Sequence, residues 1–525
     1  MTRARAVTLG ATLDLMPMFR RESGILLHPT SLPGRFGIGD LGPECISWIK
    51  FLDDAGQRLW QVLPLTPVGS GFSPYHCGSS FAGNTLLLSP ERLHQQGRLS
   101  AEDLQAIELP WHSRLEPELL MRTKLPALQK AAEHFLNSAS PEERDEFESF
   151  KAAERDWLVD FARYEAIRTE RGESSWTKWP SDLKRRDAAT LSAVDRELER
   201  AMARVQVLQF LFEQQWQSVR RLANLRKIRV IGDLPIFVAL DSADVWAAQH
   251  LFQLDADGAP KVVAGVPPDY FSKTGQRWGN PLYAWEEHER HGFQWWKRRV
   301  ARTLQMTDLL RIDHFRGFAG YWEIPAHEPT AINGRWVPAP GKALFTELER
   351  SMGSPLPIMA EDLGIITDDV VELRDHFGFP TMRVLQFSFT GEERLLPHNY
   401  PENCVAYTGT HDNDTTVGWY RGNSAKDSVE TAIAVEEERD RVRRYYSTNG
   451  TDIQWTCIQR LMASKVVCVI APFQDVLGLG SEARMNTPGT VGEHNWTWRF
   501  DWPQLQPKML ETLRQITRET QRNQA

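Results

Sequence analysis

Residues 309–318 read Leu-Leu-Arg-Ile-Asp-His-Phe-Arg-Gly-Phe. A short apolar run ends in an arginine and an aspartate two positions apart. Side chains alternate along a strand with period two, so Arg311 and Asp313 should project from one face. A carboxylate at the end of a buried strand, held ionised by a neighbouring guanidinium, has the character of a nucleophile. The design recurs twice. Pro357-Ile-Met-Ala-Glu-Asp-Leu-Gly364 places Glu361 after an apolar run, and Cys404-Val-Ala-Tyr-Thr-Gly-Thr-His-Asp-Asn-Asp-Thr415 places His411 and Asp412 after another. Three carboxylates at three strand ends point to an active site.

Working outward, five further runs have the same short, apolar, partly β-branched character. They are Gly24–His28, Arg58–Leu65, Ile228–Pro235, Met382–Phe387 and Lys465–Pro472. With Asp308–Asp313, Pro357–Asp362 and Asn403–Gly409 they make eight. Near-continuous apolar runs suit strands buried on both faces, as in a parallel sheet. Helix-like stretches at 43–56, 340–351, 367–377, 425–447 and 453–463 lie between several of them. The alternation predicts an α/β fold, a (β/α)8 barrel of TIM type, with catalytic side chains at the strand C-termini. Two gaps are too long for βα loops. Residues 91–210 are rich in Glu, Arg, Ala, Leu and Gln at helical spacing, which predicts a mainly helical insertion between the second and third strands. Residues 247–307 read as a structured loop excursion carrying aromatics. Residues 1–20 read as a loose lead-in to one catalytic domain over 21–525.

Composition bounds the function. A net charge of -8, from 69 acidic and 61 basic side chains, gives no footprint for nucleic acid. No apolar stretch approaches the roughly 20 residues of a membrane span. The five cysteines show no C-x-x-C spacing, which suits free thiols in a reducing cytoplasm rather than disulfides or a zinc site. The 19 tryptophans permit sugar stacking, though packing accounts for most of them more simply.

Two carboxyl groups facing a glycosidic bond suffice to cleave it, one protonating the leaving oxygen and the other attacking or activating water. Asp313 is the nucleophile candidate. Glu361 follows an apolar run, where desolvation should raise its pKa into the range of a general acid. Asp412 would bind the hydroxyls flanking the reacting carbon. Asp233, at the end of the third strand, is either a fourth member of the site or a structural hydrogen-bond acceptor. The run from His411 to Asp414 lacks a second clustered histidine or an EF-hand spacing, which weighs against a metal site. His314 reads as a packed core or supporting histidine. The glycine-rich pieces lack the strand–GxGxxG–helix context of a dinucleotide site, and no G-x-S-x-G elbow occurs.

From about Gly24 to Trp502 the chain resembles the amylomaltase, or 4-α-glucanotransferase, family related to the α-amylases. Ser73-Pro-Tyr75 and Ser80-Phe-Ala-Gly-Asn84 resemble the family's first loop, Gly232-Asp-Leu-Pro-Ile-Phe-Val238 its barrel-aspartate segment, and Val266–Ser272 with Arg277–Tyr283 its mobile active-site loop. Arg311–Gly317, Glu361–Gly364 and Gly409–Thr415 resemble its three carboxylate segments, and Asn486–Thr490 with Asn495–Arg499 its C-terminal signature. Thr85 and Thr497 depart from the pattern in loop detail. The resemblance implies catalytic roles for Asp313, Glu361 and Asp412, and substrate contacts for Tyr75, Asp233, Tyr270, Phe271, Trp278, Arg311, His411 and Asn486. It implies maltooligosaccharides, longer α-glucans and glucose as donors and acceptors, and no cofactor or metal. A cytoplasmic monomer or weak homo-oligomer is expected. A hydrolase of the same clan and a non-catalytic glucan binder are the alternatives. The 266–283 loop and the Asn495 signature favour the transferase over the first, and the three retained carboxylates count against the second.

Overall fold

The computed structural model describes residues 18–172, 175–268, 272–422 and 432–523. The described residues hold twelve strands: β1 (Glu22–Leu26), β2 (Leu59–Gln61), β3 (Arg229–Leu234), β4 (Val262–Val266), β5 (Gln276–Pro281), β6 (Leu309–Ile312), β7 (Gly320–Pro325), β8 (Arg335–Pro338), β9 (Ile358–Ala360), β10 (Thr381–Val384), β11 (Cys404–Tyr407) and β12 (Cys468–Pro472). Eight of them close into a barrel in the order β1-β12-β11-β10-β9-β6-β3-β2. Every pairing in it is parallel. Each barrel strand falls within or overlaps one of the eight apolar runs, because strands enclosed by helices outside and by side chains inside are apolar along most of their length. All five residues of β1 and of β12 are buried. Tyr407 and Gln61 fill the interior, the phenol donating to the amide oxygen at 2.8 Å.

The barrel is sealed where the two ends of the chain meet. β1 pairs with β12, and the buried Arg522 donates to the carbonyls of Glu22, Met462, Ser464, Val466 and Val467. One guanidinium thus satisfies five carbonyls around that seam.

The connection from β2 to β3 is the expected helical insertion. Its helices include Lys124–Ser138, Pro141–Ala153 and Arg155–Glu170. Pro141–Ala153 begins with proline at its first position and a capping box, Ser140 accepting from the Glu143 amide and Glu143 from the Ser140 amide. The insertion has no break at residue 210. Helix Glu199–Leu225 runs on for 27 residues, so one continuous helix belongs to the insertion at its start and leads into β3 at its end. A buried ion pair ties the insertion to the barrel, Lys124 Nζ lying 3.1 Å from Asp40.

The excursion at 247–307 is not one long loop. It holds the hairpin β4–β5 and then helix Gln294–Met306, which leads into β6. β4 also pairs with β7, and β7 with β8, giving a four-stranded antiparallel sheet, β5-β4-β7-β8. Two connections, after β3 and after β6, build this sheet together. Of the helix expected at 425–447, residues 432–446 are helical, and 425–431 lie outside the described residues. Eleven of the 19 tryptophans are buried, so most serve packing. All five cysteines are free and buried. No helix among the described residues is long and apolar enough to cross a membrane.

Candidate active site

Parallel strands deliver their C-terminal ends to one rim, and the candidate residues gather there. Asp233 is the fifth residue of β3; Asp313 and Glu361 directly follow β6 and β9; His411 and Asp412 stand in the turn after β11. The β3–β6 register sets Asp233 opposite Arg311. The Arg311 guanidinium donates to both oxygens of Asp233, at 2.8 and 2.7 Å, and to Asp313 at 3.0 Å. The sequence reading gave Arg311 to Asp313; in the fold its larger share goes to Asp233. Burial raises the Asp233 carboxyl, and Arg311 and the Tyr75 hydroxyl pull it back.

Tyr75 joins two halves of the site. Its hydroxyl donates to Asp233 at 2.7 Å, and its ring stacks on His411 with centroids 5.0 Å apart. Burial, reinforced by Asp233, holds it as a phenol, well above the ordinary tyrosine range. On the other side Asn486 Nδ2 donates to Asp412 at 2.7 Å, and Arg484 donates to the Asp412 carbonyl at 2.6 Å. The rest of the Asp412–Asp414 run points elsewhere. Asn413 accepts from Thr410, and Asp414 from Ser481 and its neighbour's amide, which is not the geometry of a cation cage.

Glu361 is fixed by the turn that follows Asp313. His314 adopts a left-handed backbone, φ 50°, a region histidine tolerates better than most residues and one found often at functional sites. This turn directs the His314 amide at Glu361 Oε2, 2.6 Å away, and the Phe315 amide at the Glu361 carbonyl, 3.0 Å away. Leu363 N donates to Oε1 at 3.1 Å. Burial, with a smaller contribution from the Asp313 charge, still pushes the carboxyl up to about 8, against the pull of Arg311. Trp278, on β5, meets the His314 ring edge-on at 4.9 Å. Tyr270 and Phe271 lie outside the described residues.

Three neighbours escaped the sequence reading. Trp496 packs on both Tyr75 and His411, with centroids at 5.4 and 5.8 Å; its signal in the sequence is the Asn495-Trp-Thr-Trp-Arg signature. The His314 backbone role has no signal in residue type. His28, just beyond β1, is buried, has no hydrogen-bond partner on either ring nitrogen, and is driven down to about 3 by burial. It lines with His411 a cavity of about 20 Å³, room for one water.

A closed parallel barrel with one carboxyl pushed up to about 8 and an arginine-held aspartate on adjacent strand ends belongs to the class of enzymes that act on glycosidic bonds. Comparison with known proteins narrows this. Residues 27–505 match the family model described as 4-alpha-glucanotransferase, and the chain belongs to that family. The 4-alpha-glucanotransferase of Thermus thermophilus is 46% identical over 96% of this chain and 99% of its own. The chloroplastic/amyloplastic 4-alpha-glucanotransferase of Solanum tuberosum is 44% identical over 92% and 83%. Among solved structures, the amylomaltase of Streptococcus agalactiae in complex with acarbose superposes with a TM-score of 0.90 at 37% identity, covering 96% of this chain and 100% of that one. The chain is an enzyme of α-1,4-glucan transfer.

Proposed function

We propose that the protein moves α-1,4-glucan segments from a donor maltodextrin to the 4-hydroxyl of an acceptor glucan or glucose, by retaining double displacement. Asp313 attacks the anomeric carbon and forms a glucosyl ester, while Glu361 delivers its proton to the departing glycosidic oxygen. The acceptor hydroxyl then gives its proton to Glu361 as its oxygen displaces Asp313, restoring both carboxyls. The observation that carries this reading is the contrast at adjacent strand ends: Glu361 is raised to about 8, beside an Asp313 that accepts from Arg311. The Asp313 charge is one of the influences raising Glu361. Esterification removes that charge, so Glu361 holds its proton less tightly when it must act as base.

Asp233, Tyr75 and Arg311 form the wall that holds Asp313. Asp412, oriented by Asn486, and His411 take the hydroxyls of the reacting sugar. Trp278, on β5 against the His314 ring, packs against sugar and limits water, which favours transfer over hydrolysis. The acarbose complex of the Streptococcus agalactiae relative supports a carbohydrate ligand for the matching barrel. The five buried thiols support a cytoplasmic setting, and the protein acts as a monomer or weak homo-oligomer.

The test is incubation with maltotriose and resolution of products by size over time. Glucose together with a ladder of longer maltodextrins is expected. Glucose and maltose alone would identify a hydrolase, and an unchanged substrate with both short and long donors would overturn the catalytic reading.

A further inference from the structure

Residues 482–500 form a late loop that brings three side chains to the rim. Arg484 and Asn486 hold Asp412, and Trp496 packs on Tyr75 and His411. The two legs of the loop meet where the Trp496 amide donates to the Met485 carbonyl at 2.7 Å and the Thr487 amide to Asn495 Oδ1 at 3.0 Å. Residues 488–494, at its tip, are exposed. Packing therefore does little to set where the legs stand.

What sets them comes from the helical insertion. Arg114, just ahead of helix Pro117–Arg122, donates through Nη1 to the His494 carbonyl at 2.6 Å and to Thr497 Oγ1 at 3.3 Å. Through Nη2 it donates to the Glu482 carbonyl at 2.5 Å. The two carbonyls stand on opposite legs, one two residues ahead of Arg484 and the other two residues ahead of Trp496. One planar fork thus spans the loop, a geometry a lysine does not copy. The hydroxyl it reaches belongs to Thr497, one of the two departures from the family pattern. Backbone bonds keep Arg114 in register, the Leu115 amide donating to the Thr497 carbonyl at 2.7 Å and the Arg499 amide to the Ser113 carbonyl at 2.8 Å. Burial lowers the pKa of Arg114, and no carboxylate opposes that. A half-buried cation without a counter-ion is costly, so charge pairing does not account for its place; its donors go to the loop.

We propose that Arg114 is a positioning residue for the transfer reaction: its guanidinium pins both legs of the late loop, and Arg484 and Asn486 on that loop hold Asp412 in place for the reacting sugar. The insertion thereby reaches the chemistry through one side chain. The part played by Asp412 rests on the transferase reading above. Without Arg114 the legs lose the fork that spans them, and the 2.7 Å bond from Asn486 to Asp412 loosens. Hydroxyl contacts at the reacting sugar strengthen in the transition state, so the loss falls on kcat rather than on KM.

The test compares turnover of maltotriose by the native chain, Arg114→Ala, Asn486→Ala and the double variant. Arg114→Ala should lower kcat about 10-fold with KM little changed. In the Asn486→Ala background, where Asp412 has already lost its donor, the same substitution should lower kcat by about 2-fold at most. Arg114→Lys keeps the charge but not the planar fork, so it should show the same dependence on Asn486 and carries the test if the alanine variant misfolds. A merely structural role would cost activity equally in both backgrounds; equal losses, or none from Arg114→Ala, would overturn the proposal. A second readout is independent of turnover. Hydrogen exchange across residues 484–496 of the folded Arg114→Ala or Arg114→Lys chain should quicken about 10-fold while the barrel strands keep their protection, and unchanged exchange there would also overturn it. The transferase reading fails separately, by absence of longer maltodextrins from the native chain.

Discussion

Raising the pH through 8 should shut down the first half-reaction, because Glu361 must carry a proton to release the leaving sugar. Its ordinary value of 4.5 is pushed to about 8. At pH 7 a carboxyl titrating at 4.5 is protonated in about 0.3% of molecules, and one titrating near 8 in about 90%, so the surroundings of Glu361, burial foremost, are worth a factor of about 300 in competent enzyme. The assay is kcat/KM for maltotriose between pH 5 and 10, which should show a basic limb with its midpoint near 8. A maltosyl fluoride donor needs no proton for its leaving group. With it, Glu361→Gln should still form the glucosyl-enzyme, and the limb should vanish from that step. Stability follows the same titration. The folded value lies above the unfolded one, so the contribution is full below pH 4.5 and lost as the pH rises to 8. Glu361→Gln should therefore gain on the native chain by on the order of a few kcal/mol between those limits. A basic limb that persists unchanged in Glu361→Gln with the fluoride donor would refute the assignment of the proton to this residue.

Asp313→Asn should lower turnover by about 10⁴-fold or more while oligosaccharide binding persists by calorimetry; near-normal activity would remove Asp313 from the mechanism. Asn486→Ala frees Asp412 from its 2.7 Å donor, and loss of a hydrogen bond to a charged group should lower kcat/KM by about 10- to 100-fold with an unchanged melting temperature. Lys124→Met leaves Asp40 buried without its cation, which should cost about 3–5 kcal/mol in denaturant unfolding and leave kcat untouched. A change confined to kcat there would mean that the insertion is coupled to the chemistry rather than only to the fold.

The eight barrel strands were legible because burial on both faces forces a near-continuous apolar run, broken only at a few positions such as Asp233 and Arg311. The second sheet was hidden for the opposite reason. β5 is Gln-Arg-Trp-Gly-Asn-Pro, and most of it is partly or fully exposed; β8 is Arg-Trp-Val-Pro with hardly any burial. Neither carries a period the solvent would enforce, and their pairing joins segments more than 40 positions apart through β4 and β7. The end of the insertion was misplaced because helix Glu199–Leu225 has one unbroken pattern, with no cap at residue 210 to mark a boundary. At the site, strand-end position exposed the carboxylates themselves. Their relations were not readable: Arg311 serving Asp233 more than Asp313, or Asn486 reaching Asp412, follows from barrel register and from a late loop folding back.

The seam at β1 and β12 has a consequence in time. Its two strands are 442 positions apart from Leu26 to Cys468, and the Arg522 bolt lies later still. At about 5–20 residues per second of synthesis, β1 waits roughly 25–100 s for its partner and that bolt. Throughout that interval the unmatched edge of a strand that ends fully buried is open to other chains, so the last strand and the tail behind it act as a latch on the whole barrel. Shortening the tail to end before Arg522 would leave the rim chemistry untouched in sequence, yet remove the guanidinium that donates to five carbonyls at the joint. Loss of yield during synthesis, rather than loss of catalytic power in the molecules that survive, is the signature such a truncation should leave.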